Sequence, residues 1–279
     1  MITDVPGIRV GHWTDESAHT GCTVVLPPPG TIASGEIRGG APAERDFALL
    51  APERTVPGAD AVVLSGGSVW GLAAVDGALR RLEEQGAGLE TPAGRVPIVV
   101  GLGIFDLLVA TPGVRPDAEA GYAACAAATA TATSGRVGAG AGASVGAWRG
   151  PEHRRPSGLG GASERQGELV VGALAVVNAL GEPLEPGAER PPLDSLDAGP
   201  FQNTTLVVVA TNARLDKVGC FLVAQSGHDG MARSLEPAHT SADGDAVVTL
   251  ATGELDAAPD LVRTLAARAV EAAIRRAAG

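Results

Sequence analysis

A proline-rich polar segment separates two of the most apolar runs in the chain. Residues 169–179 and 204–210 are almost wholly aliphatic, and runs of this length are typical of strands buried on both faces. Between them, residues 181–202 hold five prolines among acidic residues and show no periodicity. We therefore expect two core strands joined by a long exposed linker over residues 181–203.

The remaining apolar runs alternate between strand and helix patterns. Short runs bounded by Gly or Pro predict strands at residues 8–13, 23–26, 61–64, 96–104 and 246–251. Helical spacing or alanine-rich composition predicts helices at residues 69–85, 116–132, 215–235 and 258–278. This alternation predicts a protein of the α/β class.

Composition limits the partners and the location of the chain. The formal net charge is −11 with both signs scattered along the sequence, so we expect an acidic soluble surface and no nucleic-acid partner. No run of about 20 apolar residues is present, so no membrane association is expected. The start of the chain does not resemble a signal peptide, and Cys22, Cys125 and Cys220 read as buried thiols. We expect a cytoplasmic protein.

The junction between the linker and the second apolar run is where chemistry is most strongly indicated. Thr204 follows Asn203 and begins the strand. A threonine hydroxyl in this place could attack the preceding carbonyl, cut the chain and leave a free α-amine as the base for its own hydroxyl. The same dipeptide is also ordinary turn chemistry at a strand start. The residues alone leave both interpretations open.

A second candidate is the stretch Asp243-Gly244-Asp245, just before the strand expected at residues 246–251. Such a stretch is most often a tight turn. It could instead supply a carboxylate pair, in which one acid orients the nucleophile and the other holds the first acid or the new α-ammonium.

The glycine-rich residues 138–142 lack the Gly-Lys-Ser/Thr ending of a phosphate-binding loop. They indicate close packing or a loop of backbone donors instead of a nucleotide site. No two histidines have metal-ligand spacing; they stand at positions 12, 19, 153, 228 and 239. We therefore expect neither a metal nor a cofactor.

Several stretches, in consistent order over nearly the whole chain, carry a family resemblance. They are residues 2–13, 64–74, 98–101, 105–106, 135–143, 171–178, 203–212 and 243–245. Together they resemble the self-cleaving aminopeptidases of peptidase family S58. This family includes D-aminopeptidase/esterases of the DmpA type, β-peptidyl aminopeptidases and nylon-oligomer endohydrolases. Thr after Asn, and Asp-Gly-Asp, are similar to the nylon-hydrolase branch.

The resemblance implies a fold and a reaction. The fold would be a four-layer α/β/β/α sandwich of the N-terminal-nucleophile type, related to that of ornithine acetyltransferase. Residues 1–279 would form one hydrolase domain that cuts itself into a large chain, 1–203, and a small chain, 204–279. The substrate would be a small peptide or amide, including aminohexanoate-type oligomers, and the processed protein would be a homo-oligomer, generally a tetramer.

The resemblance also implies roles for individual residues. Thr204 would be the nucleophile, Asp243 and Asp245 its orienting pair, and Asn178 a side-chain donor to the developing oxyanion. Three more residues are expected to line the substrate site: Phe105, Ala147 and Gly140.

Two departures from the nylon-hydrolase branch keep other readings open. That branch carries a Lys where this chain has Ala147, and a Tyr where it has Phe105. An acyltransferase of the ornithine acetyltransferase type would pass the acyl group from Thr204 to an amine. An uncleaved, non-catalytic paralogue would serve as a binding protein. The sequence does not name the substrate.

Overall fold

The computed structural model describes residues 1–184, 187 and 203–278. Most of the linker expected at residues 181–203 therefore lies outside the described residues. Its two described ends differ from the expectation of an exposed segment, because Gly181 and Asn203 are buried. Glu182–Pro183 forms a short strand, since its backbone pairs with Leu235–Glu236.

Strands and helices alternate along the described chain. The strands are β1 Arg9–Asp15, β2 Thr20–Leu26, β3 Ile32–Ile37, β4 Ala43–Arg45, β5 Ala61–Ser65, β6 Leu89–Thr91, β7 Gly94–Val96, β8 Val99–Gly103, β9 Ser144–Val145, β10 Arg155–Pro156, β11 Leu159–Gln166, β12 Leu169–Asn178, β13 Glu182–Pro183, β14 Thr204–Ala213, β15 Leu235–Glu236 and β16 Ala246–Leu255. The α-helices are α1 Ser68–Gly71, α2 Ala74–Glu84, α3 Ala118–Ala126, α4 Lys217–Ser234 and α5 Pro259–Ala278. Single turns of 3-10 helix occur at Ile2–Asp4, Phe47–Leu50, Gly138–Gly140, Ala147–Arg149 and Pro151–His153.

Two five-stranded mixed sheets stack face to face and carry the helices on their outer faces. The first sheet has the order β1-β2-β5-β8-β4, and the second has the order β11-β12-β14-β16-β3. Apolar side chains of both sheets form a shared inner core. A second core lies between the second sheet and helices α4 and α5, and a third lies between the first sheet and helices α2 and α3. The layers are therefore α/β/β/α, as the resemblance implied.

Period-two alternation within the aliphatic strands builds these cores. In β14, Leu206 and Val208 enter the inner core, while Val207 and Val209 pack under the helices. Successive side chains of a strand point to opposite faces, so a strand covered on both sides must be apolar at every position. This explains why residues 204–210 lack the usual polar alternation.

Three predicted elements are shortened or divided in the structure. The alanine-rich helix expected at 116–132 ends at Ala126, because Thr129 leaves the helix and exchanges two backbone hydrogen bonds with Val10 of β1. The helix expected at 69–85 is split into α1 and α2. The strand expected at 96–104 is divided at Pro97, with Val96 ending the β6–β7 hairpin and Val99 beginning β8.

Two strands of the second sheet, β3 and β11, are not predicted from the sequence. β11 begins Leu-Gly-Gly-Ala, a composition that reads as a loop. Gly160 is needed because helix α5 passes directly over it: a β-carbon there would lie 2.1 Å from the carbonyl oxygen of Ala273. A glycine that admits a helix onto a sheet cannot be told from a turn glycine by composition.

The three cysteines are buried free thiols, as expected from their spacing. Burial raises the pKa of Cys22 and Cys220 to about 12, so both remain protonated near neutral pH.

None of the helices that the structure describes is long and apolar enough to span a membrane.

Candidate active site

The order and direction of three strands bring the predicted site residues to one edge of the second sheet. β14 pairs in parallel with β16, so Thr204 at the start of β14 lies near the residues that precede β16. β12 is antiparallel to β14, and its last residue, Asn178, stands directly opposite Thr204. Residues more than 60 positions apart in sequence therefore meet where these strands begin or end.

Thr204 begins its strand as predicted, and its side chain is buried. Its hydroxyl donates a hydrogen bond to the carbonyl oxygen of Asn203, the residue before it. The same carbonyl oxygen accepts a hydrogen bond of 3.0 Å from the backbone N–H of Gly244. The Asn203–Thr204 peptide is thus held between the Thr204 hydroxyl and a backbone donor from the loop that precedes β16.

The side chain of Asp245 contacts the backbone of β14, the strand that Thr204 begins. Its Oδ1 accepts a hydrogen bond of 2.6 Å from the N–H of Thr205. Its Oδ2 accepts from the backbone N–H of His239 at 3.0 Å and lies 2.9 Å from Nδ1 of the same histidine. This buried carboxylate is therefore fixed on both oxygens.

Asp243 is held by the segments on its other side. Its Oδ1 accepts from the N–H of Leu180 at 3.2 Å, and its Oδ2 accepts from the N–H and hydroxyl of Thr240 at 3.1 and 2.5 Å. Burial, followed by the negative charge of Asp245, raises the pKa of Asp243 from 3.8 to about 6. A carboxyl with such a pKa can hold or release a proton near neutral pH.

Asn178 is oriented by the hydrogen bonds of its amide. Its Oδ1 accepts from the N–H of Ser144 at 3.0 Å, and its Nδ2 donates to the carbonyl oxygen of Phe105 at 3.1 Å. The second proton on Nδ2 leaves this side chain with donor capacity beside Thr204.

Phe105 is placed by the first sheet. It follows β8, and its neighbour Asp106 accepts hydrogen bonds from the N–H of Gly67 and the hydroxyl of Thr20, both at 2.7 Å. These bonds tie the turn after β5 to the turn after β8. Burial raises the pKa of Asp106 as well.

A cavity of about 400 Å³ lies against the Asn203–Thr204 peptide. The described residues of its wall come from both sheets, and most of them are small or apolar: Ala41, Pro42, Ala43, Glu44, Ser68, Val69, Gly103, Phe105, Asn203 and Thr204. Its volume suits a small amide and not a folded protein. Phe105 therefore lines this cavity, and its predicted contact with substrate stays a prediction.

Ala147 and Gly140 do not belong to this wall. Gly140 packs against β11, where a β-carbon would lie 2.5 Å from the backbone nitrogen of Leu159. Its own N–H donates to the carbonyl of Val137 at 3.0 Å. Ala147 follows Gly146, whose N–H bonds to the carbonyl of Gly181. Their predicted contact with substrate stays a prediction.

Sequence reasoning missed three groups that complete the arrangement. They are the backbone N–H of Gly244, the side chain of Thr240 and the ring of His239. Thr240 stands three residues before Asp243, a spacing typical of local side-chain hydrogen bonds, so a signal for it was present. The contact of Gly244 with Asn203 depends on strand pairing and leaves no local signal.

Chemically, the site offers a hydroxyl beside a polarised amide carbonyl, a carboxyl (Asp243) whose pKa is raised by burial and by Asp245, and a side-chain amide donor. Among the described residues, no group of three or more His, Cys, Asp and Glu side chains is arranged to hold a metal ion. The arrangement suits nucleophilic attack on an amide carbonyl.

Comparison with known proteins also indicates chemistry on amide bonds. The model of peptidase family S58 matches residues 1–278. An uncharacterized aminopeptidase from Mycobacterium bovis is 42% identical, over 93% of this chain and 83% of its own. A 6-aminohexanoate-oligomer endohydrolase from Kocuria sp. is 30% identical, over 91% of this chain and 75% of its own.

The fold has a counterpart among solved structures. The L-aminopeptidase D-Ala-esterase/amidase of Ochrobactrum anthropi, described as a variant of the N-terminal-nucleophile hydrolase fold, superposes with a TM-score of 0.76 at 18% identity. The match covers 99% of this chain and 85% of that one. The expected α/β/β/α fold is confirmed.

Proposed function

The chain belongs to peptidase family S58, and on that premise we propose that it is an amide hydrolase that cuts itself between Asn203 and Thr204 and then uses Thr204 as its nucleophile. Family membership supports hydrolysis of amide bonds. The self-cleavage and the identity of the nucleophile, which the resemblance implied, are supported by the geometry around Thr204.

One observation carries the proposal: the carbonyl of Asn203 is already engaged by the groups that its own cleavage requires. The Thr204 hydroxyl contacts the carbonyl oxygen from one side, and the Gly244 N–H donates to the same oxygen. A donor fixed on an oxygen that becomes negative during attack lowers the barrier of the attack. An ordinary strand start requires no such arrangement.

The self-cleavage step conserves all atoms. Oγ1 of Thr204 attacks the carbonyl carbon of Asn203, its proton passes to a base, and the C–N bond breaks as the nitrogen of Thr204 takes a proton. Asn203 is then held as an ester on Thr204. Water hydrolyses the ester, which yields a carboxylate on Asn203, restores the hydroxyl and leaves a free α-amine on Thr204.

In the processed enzyme the same hydroxyl would attack a substrate amide. The α-amine of Thr204 would serve as base, since a terminal amine has an ordinary pKa of about 7.7–8.0 and is substantially neutral near pH 8. Asn178 would donate to the oxyanion, and Asp243 and Asp245 would hold the charged groups in place. The acyl intermediate on Thr204 would then be released by water.

The substrate class follows from the size of the cavity and from the relatives. A space of about 400 Å³ suits a small peptide, an amino-acid amide or a short aminohexanoate-type oligomer. The names of the relatives, aminopeptidase and 6-aminohexanoate-oligomer endohydrolase, indicate amide bonds of this kind. We propose small amides of amino-bearing acids as substrates.

Intact-mass measurement tests the proposal without a known substrate. The purified wild-type chain should give two species, residues 1–203 and 204–279, and the smaller should begin Thr-Thr-Leu-Val-Val on Edman sequencing. Thr204→Ala should remain one chain, whereas Thr204→Ser, which keeps a hydroxyl, should still cut.

An intact wild-type chain after prolonged incubation would contradict the proposal and favour the non-catalytic paralogue. A small chain that starts at another residue would contradict the assignment of Thr204. Acyl transfer from Thr204 to ornithine in preference to water would indicate the acyltransferase instead.

A further inference from the structure

Two histidine rings lie beside Asp245, one fully buried (His228) and one half-buried (His239), and the proposed mechanism does not use either. His239 precedes the Asp243–Asp245 stretch, and His228 belongs to helix α4. Their ring centroids are 4.8 Å apart and their planes are inclined by 72°, so the edge of one ring packs on the face of the other. This pair borders the carboxylate that contacts the strand of the nucleophile.

His239 gives both of its available donors to one oxygen atom. Its backbone N–H lies 3.0 Å, and its ring Nδ1 2.9 Å, from Oδ2 of Asp245. Because a carboxylate oxygen only accepts, Nδ1 carries the proton. His239 adopts a φ of +57°, in the left-handed region that non-glycine residues rarely occupy. In this backbone conformation, both the backbone N–H and the ring Nδ1–H of His239 point to Oδ2 of Asp245.

His228 limits the movement of the His239 ring. It is fully buried, and its Nε2 donates to the backbone carbonyl of Glu36 at 3.0 Å. Burial lowers its pKa to about 4, so the ring is neutral near pH 7. A neutral ring fixed to β3 packs against His239 without adding a charge beside Asp245.

We propose that His239 is a positioning residue for the nucleophile. By holding Oδ2, it keeps Oδ1 of Asp245 on the N–H of Thr205, 2.6 Å away, and so fixes the backbone on which the Thr204 hydroxyl is mounted. This inference rests on the proposed function. The inference adds that Asp245 acts through the backbone of Thr205. It also adds that Oδ1 of Asp245 stays on the Thr205 N–H only while His239 holds Oδ2.

The role becomes more important after self-cleavage. In the uncut chain, the bond from Gly244 to the Asn203 carbonyl also holds the scissile peptide. Once Asn203 has left, Thr204 is a chain end, and the bond between Asp245 and Thr205 remains to tie it to the loop before β16. Loosening His239 should therefore slow both self-cleavage and turnover.

Two substitutions at position 239 distinguish the contribution of the histidine ring from that of the backbone N–H. His239→Gly tolerates the positive φ and keeps the backbone N–H, so it removes only the ring. His239→Asn also tolerates this region of φ and places an amide donor near the position of Nδ1. We expect the Gly variant to be about 10- to 100-fold slower, as for the loss of a hydrogen bond to a charged group, and the Asn variant to recover most of the rate.

His19 provides a matched control. It is an exposed histidine with a φ of +55°, so His19→Gly and His19→Asn make the same changes in the same backbone conformation far from Asp245 in sequence. Both control variants should cut and turn over at the wild-type rate. Melting temperatures of all the variants report any general loss of stability.

The experiment follows the first-order self-cleavage of pulse-labelled chains made in a cell-free system, and the hydrolysis of glycine p-nitroanilide by the cut proteins. A positioning role predicts a slower cut in His239→Gly, rescue in His239→Asn, and a lower kcat with an unchanged KM. A wild-type rate in His239→Gly would overturn the inference and leave the proposed function intact. So would a folded His239→Asn that is as slow as the Gly variant.

If His239→Gly does not fold, the Asn variant alone decides, since the inference requires it to stay close to wild type. If the wild-type chain does not cut, or if Thr204→Ala cuts at the same bond, the proposed function fails and the inference fails with it. The two failures are therefore distinguishable.

Discussion

The backbone N–H of Gly244 lies 3.0 Å from the carbonyl oxygen of Asn203. This contact joins the loop before β16 to the peptide that precedes β14, and it exists because these two strands run in parallel with their starts at one edge. In the proposed self-cleavage, Gly244 would therefore donate to the oxyanion that forms on the Asn203 carbonyl. Gly244 is also the single residue between Asp243 and Asp245.

A β-carbon at position 244 should disturb this contact. It would lie 2.9 Å from the hydroxyl of Thr204 and 2.8 Å from the carbonyl oxygen of Ala41. We expect Gly244→Ala to slow self-cleavage by about 100-fold, as when an oxyanion donor is displaced. Densitometry of the two chains against time measures this rate. Gly219→Ala is the control, because a β-carbon there would meet only side-chain atoms, at 3.2 Å or more, outside the backbone of its own helix. Equal rates in the two variants would exclude the role of Gly244.

The raised pKa of Asp243 predicts a pH dependence of stability. A carboxyl whose pKa rises from 3.8 to about 6 on folding binds its proton more tightly in the folded chain. Its contribution to stability is therefore fully present below about pH 4 and is lost as the pH rises through about 6. The loss is at most about 3 kcal/mol. Asp243→Asn should remove this component of the pH dependence.

The measurement is urea unfolding between pH 4 and 7, with every variant in the Thr204→Ala background so that all samples are one chain. Asp245→Asn serves as the comparison, because removing its charge takes away the second cause of the shift and should move the loss of stability to lower pH. Identical pH dependence in all three proteins would exclude Asp243 as the titrating group.

Exposed apolar side chains beside the cavity predict assembly. Val69, Trp70 and Leu108 are 59%, 55% and 57% exposed, and the segments that carry them are joined by the bond between Gly67 and Asp106. Such a patch is typical of an interface between subunits. Light scattering should give a multiple of the 27.8 kDa chain mass, and Trp70→Glu should reduce it to the mass of a single protomer. Val218→Glu, at an equally exposed apolar residue on α4, should not.

The sequence predicts the parts of the site that depend on local pattern. Thr204 at a strand start and the Asp243–Asp245 stretch before another strand are visible in the printed chain, and aliphatic runs with two buried faces reveal β5, β12, β14 and β16. The fold of the whole chain followed from a family resemblance and not from periodicity, since β3 and β11 are too rich in small residues to be read as strands.

What the sequence does not reveal depends on the direction of backbone groups. The N–H of Gly244 bonds to Asn203 only because β14 and β16 are parallel and in register. His239 reaches Asp245 only in a left-handed backbone conformation. In a sequence, glycine is the residue that indicates such a conformation, and position 239 is not a glycine. The packing of Gly140 against β11 likewise depends on the path of the backbone and leaves no local signal in the sequence.

Asn178 should distinguish the two reactions that Thr204 is proposed to perform. Self-cleavage can use the donor of Gly244 on the Asn203 carbonyl, whereas the substrate's carbonyl in the processed enzyme would depend on the amide of Asn178. Asn178→Asp keeps an oxygen for the N–H of Ser144 and replaces the donor that faces the Phe105 carbonyl. We expect hydrolysis of glycine p-nitroanilide to fall by about 100- to 1,000-fold and self-cleavage to fall much less. Ser144→Ala is the control: it removes only the long hydrogen bond of 3.4 Å from the Ser144 hydroxyl to Oδ1 of Asn178 and leaves the backbone N–H in place, so it should reduce both rates far less. Equal losses of both reactions in Asn178→Asp would mean that one oxyanion site serves both, and the separate role of Gly244 would then be wrong.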